Sequence, residues 1–427
     1  MENYDVVIIG AGPAGLFMAK ELSKDFSVCV IEKNNVGETS KFWVVSNKNV
    51  RDNRLEDCVI CRPKECVYRN YLGNEFGGKI KEGNPIIDEH KVLEKWAKEA
   101  KKKKVTFHEK TIFQKFNYNR GGVKVSTSKG ILQARLLIDA SGESSKIAKK
   151  YGMVKIIGYH STYGGLYENL NIDNPDKIVM WDYLKKSKPI KLWLIYPLSK
   201  SKAYTLIYLT SSKKYPIDKL KRYFKDYIKK VSYLPRMMKN AKLLESKFGY
   251  IPLYERKKAA INRVLILGDA AGLDPPCFGG GFYIVLSLYK KFAERIKEKL
   301  KENKLNSLNL QQCVKLPEIY QDNFLFQEIL SYAMRNPDKE ELFLKGMEVL
   351  SNRFNSRQEA KLLFSKAEPK ILAKLISSLI FSYSLEEIFK LLPKENIPLF
   401  IELCTRLLED SFVEEAYEIF NKKYPKK

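Results

Sequence analysis

A glycine-rich turn near the N-terminus constrains the fold more than any other part of the sequence. The segment YDVVIIGAGPAGL, residues 4–16, contains a β-branched strand, a turn with Gly10, Gly12 and Gly15 in a G-x-G-x-x-G pattern, and the start of a helical repeat. In this pattern the first glycine permits the tight turn, the second lets the backbone approach a pyrophosphate, and the third lets helix and strand pack closely. The segment therefore predicts a doubly wound α/β domain that binds a dinucleotide.

A second strand, FSVCVIE, ends at Glu32, where an acidic side chain can accept hydrogen bonds from both hydroxyls of a ribose. An acid at this position favours an unphosphorylated ribose, as in FAD or NAD. The helix that begins at Pro13 presents backbone amides and a positive potential to the phosphates. The predicted cofactor contacts in this half of the site are Gly10, Gly12, Pro13, Ala14, Gly15, Glu32 and Lys33.

Two later segments distinguish FAD from NAD. The stretches LLIDASG, residues 136–142, and VLILGDAAGLDPPCFGGGF, residues 264–282, each follow an apolar strand. FAD is long when extended, so a protein that holds its adenine end at the first turn needs other segments for the ribityl chain and the flavin ring. A helix that follows the glycines would direct its positive end at the pyrimidine edge of the flavin. The predicted contacts in this half are Asp139, Gly268, Asp269, Gly279, Gly280 and Gly281.

These segments together resemble the FAD-dependent superfamily that includes p-hydroxybenzoate hydroxylase, geranylgeranyl reductases, lycopene cyclases and flavin-dependent halogenases. The resemblance covers about residues 1 to 300. Residues 246–281, SKFGYIPLYERKKAAINRVLILGDAAGLDPPCFGGG, are similar to the geranylgeranyl reductase pattern, and residues 39–59 are similar to a lycopene cyclase stretch. The paired glutamates of lycopene cyclases are missing from YPLSKSKAYTLIYLTS. In LWLIYP, Trp193 is displaced by one residue from the reductase pattern, and the halogenase pattern Trp-x-Trp-x-Ile-Pro is also missing.

The resemblance implies a Rossmann-type FAD-binding domain, with an inserted antiparallel-sheet substrate domain and a helical C-terminal region. Strand-like alternation in KIVMWDY, IKLWLIYPL and KAYTLIYLT supports the insert, and the near absence of glycine after residue 305 supports the helices. The insert is rich in aromatic residues, which either line an apolar pocket or form the core of the sheet. The expected boundaries are 1–57, 88–150 and 255–303 for the FAD domain, 58–87 and 151–254 for the substrate domain, and 304–427 for the helical domain.

The candidate substrate pocket is formed by Trp193, Tyr196 and Phe278. Trp193 and Tyr196 are three residues apart on one predicted strand, so their side chains point to opposite faces of the sheet. The family geometry would place Cys277 over the flavin ring as a proton donor or charge-transfer contact, and the alternative is a small apolar loop residue. The histidines at 90, 108 and 160 are too separated to form a triad or a metal cluster.

The predicted function is that of an FAD-dependent reductase or dehydrogenase of an apolar isoprenoid. A lycopene-cyclase-like flavoprotein, an aromatic monooxygenase and a non-redox or regulatory flavoprotein remain as alternatives. A second G-x-G-x-x-G pattern does not occur, so the electrons would come from transiently docked NAD(P)H or from ferredoxin. An apolar small molecule or a lipid is the expected substrate.

Composition limits the other partners. The net charge is +26, but the lysines alternate with glutamates on helical segments and no nucleic-acid-binding module accompanies them, which indicates a solvated surface. Seven cysteines without a signal peptide indicate reduced thiols and a cytoplasmic location. The spacing of Cys58, Cys61 and Cys66 is compatible with a metal, but a fourth ligand is not evident, so no metal is predicted. No apolar run reaches the length of a membrane span, so any membrane contact is expected to be peripheral.

Overall fold

The computed structural model describes residues 1–39, 41–69, 75–79, 81–183, 191–231, 233–275, 280–354, 358 and 367–409. Its strands form three sheets, and the helices pack on these sheets and on one another. The architecture is the mixed α/β fold that the sequence predicts, with a parallel nucleotide-binding sheet, an inserted sheet and a helical C-terminal region. The fold class is therefore confirmed.

The first sheet has the order β17-β18-β11-β1-β2-β8, and β11, β1, β2, β8 and β18 are parallel. In its register Ile9 lies beside Ile31 on one side and beside Asp139 on the other, and Asp139 lies beside Ile266. The carboxyl ends of four strands therefore meet at one edge. The strands are β1 Glu2–Ile9, β2 Val28–Ile31, β8 Thr106–His108, β9 Phe113–Asn119, β10 Gly122–Thr127, β11 Gly130–Asp139, β17 Ala260–Ile261 and β18 Val264–Ile266.

Three long helices cover this sheet, because its central strands are apolar on both faces and need a partner on each. Phe17 connects the helices: its ring lies edge-on to Trp96 at 5.2 Å and to Tyr289 at 6.2 Å between ring centroids. All three rings are buried. The helices of the first 303 residues are α1 Pro13–Leu22, α2 Asn47–Asp52, α3 Glu89–Lys102, α4 Lys146–Lys150, α5 Ile217–Lys230, α6 Leu234–Met238 and α7 Gly281–Lys301.

The second sheet has the order β16-β12-β15-β14-β13-β5-β6. Its pairs are antiparallel except for β5 and β13, which run parallel. The segment that begins ECVYR therefore joins the inserted sheet, as the sequence predicts. The strands are β5 Glu65–Arg69, β6 Glu75–Lys79, β12 Val154–Glu168, β13 Lys177–Tyr183, β14 Lys191–Pro197, β15 Ala203–Ser211 and β16 Lys242–Arg256.

A small third sheet is formed by strands that lie between β2 and β8 in the sequence. Its order is β3-β7-β4, with β3 Phe42–Val44, β4 Val59–Cys61 and β7 Ile86–Asp88. The predicted substrate segment 58–87 thus contributes only part of its length to the inserted sheet, because both of its ends pair with β3 or with each other.

The helical C-terminal region packs on the inserted sheet, and its apolar residues share one core with Leu194, Tyr204 and Leu206 of that sheet. The buried face of α9 contributes Phe326 and Leu330 to this core. The helices are α8 Ser307–Cys313, α9 Glu318–Arg335, α10 Glu340–Arg353, α11 Pro369–Ser382, α12 Leu385–Lys390 and α13 Ile397–Glu409.

Candidate cofactor and active site

The three glycines of the first turn face different surroundings. Gly10 has φ +97°, and a Cβ added to it would lie 2.5 Å from the carbonyl oxygen of Ala140. A Cβ on Gly15 would lie 1.9 Å from the carbonyl oxygen of Gly10. A Cβ on Gly12 would meet no protein atom within 4 Å. Gly10 and Gly15 therefore allow the protein to pack on itself, whereas Gly12 borders open space in front of α1.

Glu32 lies at the end of β2, next to the first turn. One carboxylate oxygen accepts the backbone N–H of Ala11 and the other accepts that of Asn34, both at 2.8 Å. These bonds fix the carboxylate, and each oxygen keeps a lone pair for a further donor. The backbone amides at the start of α1 have no side-chain cap. Next to Glu32, Lys33 is exposed, while Pro13 and Ala14 form the first turn of α1.

The second turn lies beside the first. Gly268 has φ +63°, and a Cβ added to it would lie 3.0 Å from the Cβ of Ala14 in α1. The N–H of Gly268 donates to Tyr289 Oη at 2.7 Å, which ties the turn to α7. The two glycine-rich segments, more than 250 residues apart in the chain, therefore form one continuous edge.

Asp139 ends β11 at this edge, but its side chain turns into the protein. It is buried, and its carboxylate accepts the N–H of Ser141 at 3.0 Å and the hydroxyls of Ser141 at 2.5 Å and Ser145 at 2.7 Å. The geometry gives Asp139 a positioning role in the loop after β11. The Asp139 side chain is only 1% exposed and already accepts three donors, so a direct cofactor contact by this carboxylate stays a prediction.

Asp269 and Asp274 converge on the first residue of α7. The N–H of Gly281 donates to Asp274 Oδ1 at 2.6 Å. A Cβ added to Gly281 would lie 3.2 Å from Asp274 Oδ1 and 3.3 Å from Asp269 Oδ1, so both carboxyl groups reach the same point. Asp269 is exposed and Asp274 is half-buried. Both carboxyl groups therefore lie beside the start of α7.

Loss of hydration beside the neighbouring protein atoms raises the pKa of both carboxyl groups. For Asp274 the value is about 7, because the negative charge of Asp269 adds to the effect of burial while the Gly281 amide and Lys41 oppose it. Lys41 also opposes the rise for Asp269, and Glu89 adds to it. At neutral pH the pair therefore tends to keep a proton.

Glu89 begins α3 and is itself buried. Its carboxylate accepts the hydroxyl of Thr39 at 2.9 Å and the indole N–H of Trp43. Trp43 in turn stacks on Phe282 of α7, with 5.8 Å between ring centroids. Glu89 thus anchors the segment around Lys41 to the helix whose N-terminus faces the carboxyl pair.

The inserted sheet presents tyrosines to the same region. Tyr196, Tyr204 and Tyr208 lie on one face of β14 and β15, and the carboxyl group of Asp274 is close enough to raise the pKa of Tyr208. The ring of Phe42 lies edge-on to Tyr204 at 5.6 Å. This face is apolar and aromatic, so it suits an apolar ligand.

Trp193 lies on the opposite face, and its ring is fully buried between Phe224 and Tyr227 of α5 at centroid distances of 4.5 and 4.7 Å. The structure therefore places only Tyr196 of this pair on the face that carries Tyr208. Trp193 belongs to the core under α5, which differs from its predicted pocket position. The reason is the alternation of strand side chains, as the three-residue spacing predicts.

Three of the predicted site residues, Cys277, Phe278 and Gly279, lie outside the described residues. Gly280 has φ +127° and precedes α7, and Gly281 is its first residue, so the predicted helix start is present.

The cysteine triplet does not gather metal ligands. Among the described residues no group of three or more His, Cys, Asp and Glu is arranged to hold a metal ion. Burial raises the pKa of the Cys58 and Cys61 thiols to about 11, and Cys66 is buried. The thiols of Cys58 and Cys61 are therefore protonated at neutral pH, which does not favour metal binding.

Sequence reasoning missed three residues that organise the site. Asp274 stands within the quoted glycine-rich segment, and the signal for it was an acid between Leu273 and Pro275. Tyr289 and Lys41 carry no local signal, because only the packing of α7 and of the segment before β3 brings them to the edge. In the part of the chain that the structure describes, no helix is long and apolar enough to cross a membrane.

The two glycine-rich turns, the parallel sheet and the inserted antiparallel sheet define an enzyme of the FAD-dependent oxidoreductase superfamily. Residues 5–393 match the lycopene cyclase protein family, and the chain belongs to that family.

Curated relatives include two with named activities. The chain is 24% identical over 336 residues to digeranylgeranylglycerophospholipid reductase of Methanosarcina acetivorans, covering 74% of this chain and 79% of the relative. It is 24% identical over 326 residues to the chloroplastic neoxanthin synthase of Solanum lycopersicum, covering 70% of this chain and 61% of that protein.

Solved structures share the fold at low identity. A geranylgeranyl bacteriochlorophyll reductase-like protein of Thermoplasma acidophilum superposes with a TM-score of 0.71 at 16% identity, over 89% of this chain and all of the other. The halogenase PltM, solved in complex with phloroglucinol and FAD, gives a TM-score of 0.67 at 12% identity, over 95% of this chain and 96% of the other.

Proposed function

We propose that the protein is an FAD-dependent reductase of an apolar isoprenoid. The observation that carries the proposal is the meeting of three features at one edge: the uncapped N-terminus of α1 beside Gly12, the carboxyl pair at the start of α7, and the tyrosine face of the inserted sheet. The first feature suits a dinucleotide phosphate, and the last suits an apolar substrate.

The residues present fit FAD. Open space in front of Gly12 leaves room for a pyrophosphate against the amides of α1. Glu32 has lone pairs left for ribose hydroxyls, and Asp269 is exposed at the second turn. When bound and reduced, FAD supplies a hydride to a carbon atom of the substrate.

Reduction of an alkene also needs a proton at the second carbon, and Asp274 is suited to supply it. Burial and the charge of Asp269 raise the pKa of its carboxyl group, which favours the neutral form. The group also faces the side of the sheet that carries Tyr208. The backbone N–H groups of Gly280 and Gly281 both donate to this carboxyl group and oppose the rise, and that of Gly281 reaches Oδ1. A carboxylic acid that stays protonated near neutral pH and borders an apolar face is a competent general acid.

The substrate class follows from the lining and from the relatives. Tyr208 is half-buried on this face, next to Tyr196 and Tyr204, which are almost fully buried, and Phe42 lies edge-on to Tyr204, so this side of the site is aromatic with few charges. One relative is named as a reductase of a geranylgeranyl lipid, which supports a prenyl chain as the substrate. The electron donor would be docked NAD(P)H or ferredoxin.

A lycopene-cyclase-like reaction is the second candidate, and two observations favour it. The chain matches the lycopene cyclase family over most of its length. Cyclisation of a polyene begins with protonation of a double bond. The glutamate pair of lycopene cyclases is missing from this chain, and Asp274 could serve as the acid in its place. The two reactions differ in outcome: reduction adds two hydrogens to the substrate, whereas cyclisation leaves its mass unchanged.

The decisive experiment is an anaerobic titration of the FAD-loaded protein with NADH, NADPH and reduced ferredoxin, followed by addition of geranylgeranyl lipids or lycopene. We expect the flavin absorbance to bleach with one donor and to return when a geranylgeranyl lipid is added, with a product two mass units heavier per reduced double bond. An unchanged mass with a cyclised product would support the second candidate.

Two other results would overturn both candidates. Fast oxygen uptake that an aromatic compound accelerates would indicate a monooxygenase. A flavin that no reductant reaches would indicate a non-redox or regulatory flavoprotein. The Gly12→Val variant is the matched control, because a Cβ at this position meets no protein atom within 4 Å and projects into the open space.

A further inference from the structure

The outer surface of the inserted domain has an unusual charge distribution. Residues 213–247 contain twelve Lys and Arg but only three Asp and Glu, so this stretch holds about a third of the net charge of +26 in less than a tenth of the chain. Elsewhere many lysines alternate with glutamates, as in α3. The excess of positive charge is therefore a local feature.

Helix α5 displays much of this charge on one side. Leu220, Phe224 and Tyr227 are buried against the inserted sheet, so the opposite side of the helix faces solvent. The exposed residues of that side include Lys221, Arg222, Lys225, Lys229 and Lys230, with Asp218 and Asp226 as its exposed acids.

This side of α5 is poorly neutralised. Lys221 lies 3.9 Å from Asp218. Arg222, Lys225, Lys229 and Lys230 have no acidic partner within ion-pair distance among the residues that the structure describes.

The helix dipole explains only part of this arrangement. Lys229 and Lys230 lie in the last turn, where positive charge is favourable. Lys221 and Lys225 lie in the middle of the helix at i and i+4, where like charges repel each other, whereas Arg222 lies four residues before Asp226. A stripe that repels itself is relieved when a negatively charged surface approaches it.

Exposed apolar side chains adjoin the stripe. Leu243 and Leu244, at the start of the edge strand β16, are 40% and 41% exposed, and Lys242 precedes them. Leu243 lies opposite Tyr167 of β12, and the ring of Tyr167 stacks on Phe224 of α5 with 6.1 Å between centroids. The leucines therefore lie at the border of the surface that α5 occupies.

A lipid bilayer with anionic headgroups matches both halves of this surface. Its phosphates neutralise the cations, and its acyl boundary accommodates leucine side chains. A nucleic acid or a folded acidic protein would satisfy the charges, but a polyanion offers no apolar partner to Leu243 and Leu244. No helix of the described residues can span the bilayer, so contact would be limited to its surface.

We propose that the protein docks on anionic membranes through this basic face, defined as Lys221, Arg222 and Lys225 of α5 together with Leu243 and Leu244 of β16. Docking is independent of which redox reaction the site performs, because the basic face lies on the side of the sheet that carries Trp193 and α5, away from Tyr208.

The test is sedimentation of the full-length, FAD-loaded protein with vesicles of phosphatidylglycerol and phosphatidylcholine, and with vesicles of phosphatidylcholine alone. We expect binding to the anionic vesicles that weakens as salt is raised. Charge reversal by Lys221→Glu, Arg222→Glu and Lys225→Glu together should reduce the affinity at least tenfold. Leu243→Ser with Leu244→Ser should reduce it several-fold while the salt dependence remains.

The matched control reverses Lys91, Lys98 and Lys102 of α3, which are exposed on the nucleotide-binding domain and change the net charge by the same amount. Unchanged flavin absorbance and thermal midpoint would establish that each variant is folded. Equal loss in the control, equal binding to neutral vesicles, or binding to an acidic protein such as ferredoxin without binding to vesicles would each overturn the proposal.

Discussion

Asp139 and Asp269 lie at the same edge of the parallel sheet but in different surroundings. Asp139 is the last residue of β11, and Asp269 lies three residues beyond the end of the neighbouring strand β18. Asp139 is buried and accepts three hydrogen bonds from serines, whereas Asp269 is exposed at the open edge and lies beside Asp274. The comparison teaches that one edge of a sheet holds two kinds of residue, those that fix the loops and those that face the cleft.

The first turn repeats this division, and its glycines should give the largest effects. Gly15→Val places a side chain where only 1.9 Å separates a Cβ from the Gly10 oxygen, so we expect the variant to lose its folded state or its solubility. A Cβ at Gly12 meets no protein atom within 4 Å, so the thermal midpoint of Gly12→Val without FAD should stay near that of the parent while FAD binding is lost. Circular dichroism melts and flavin content measure the two outcomes. A stable, FAD-loaded Gly15→Val protein would contradict the division.

Residues on the two faces of β14 test whether the inserted sheet also separates structural residues from residues that face the site. Trp193→Ala empties a fully buried, stacked position and should lower the free energy of unfolding by about 3–5 kcal/mol. Tyr196→Phe keeps the ring and should leave stability within about 1 kcal/mol of the parent while raising KM for a prenyl substrate. Denaturant titrations and steady-state kinetics compare the two, and a change in KM alone with Trp193→Phe would place Trp193 at the substrate after all.

Replacing Asp139 and Asp269 in turn tests whether the first stabilises the fold and the second contributes to FAD binding. Asp139→Ala leaves buried serine groups without their acceptor, and we expect a loss of about 3 kcal/mol in the free energy of unfolding. Asp269→Ala removes a cleft-facing charge beside Asp274, so the protein without FAD should be no less stable, but its affinity for FAD should fall roughly tenfold. Equal losses of stability in the two variants would show that the comparison is wrong.

The carboxyl pair predicts a pH dependence. Burial and Asp269 raise the pKa of Asp274 from 3.8 to about 7, so the folded protein holds a proton that the unfolded chain releases at lower pH. The stabilising contribution of this proton is complete below about pH 4 and is lost as the pH rises through 7. Asp274→Asn should therefore raise the thermal midpoint at pH 8 relative to the parent, and less so at pH 5.

The same variant should abolish turnover, because an amide donates no proton to carbon. If turnover persists with its parental decline above pH 7, the proton comes from another group, and Asp274 belongs with Asp139 among the residues that only position the loops.

The cysteine triplet should give the smallest effects. Cys61 donates to the carbonyl of Pro197 at 3.4 Å, and we expect Cys61→Ser to change stability by less than about 1 kcal/mol. A chelator should not alter the thermal midpoint or the flavin content. Stoichiometric zinc or iron in the purified protein would contradict this expectation.

Much of the fold was readable from the sequence because local pattern and backbone chemistry determine it. Short local patterns predict three features of the fold: the β-branched run before Gly10, the acid at position 32 and the glycines before α7. The alternation that separates Trp193 from Tyr196 was equally local. The division of residues 58–87 between two sheets was not, since pairing partners for such short strands lie elsewhere in the chain.

The sequence by itself determined the nucleotide-binding fold, its two turns and the class of cofactor. Each glycine of the motif occupies a position where a side chain would clash or block the cofactor, and the alternation of side chains along a strand has a fixed geometry. Only the tertiary structure decided which acids face the cleft. The residue type of Asp139, Asp269 and Asp274 is the same, and what separates them is the surrounding protein: serines satisfy the first, whereas the packing of α7 brings the other two together. Burial and proximity are properties of the folded chain, and they set the proton affinity on which the proposed chemistry depends.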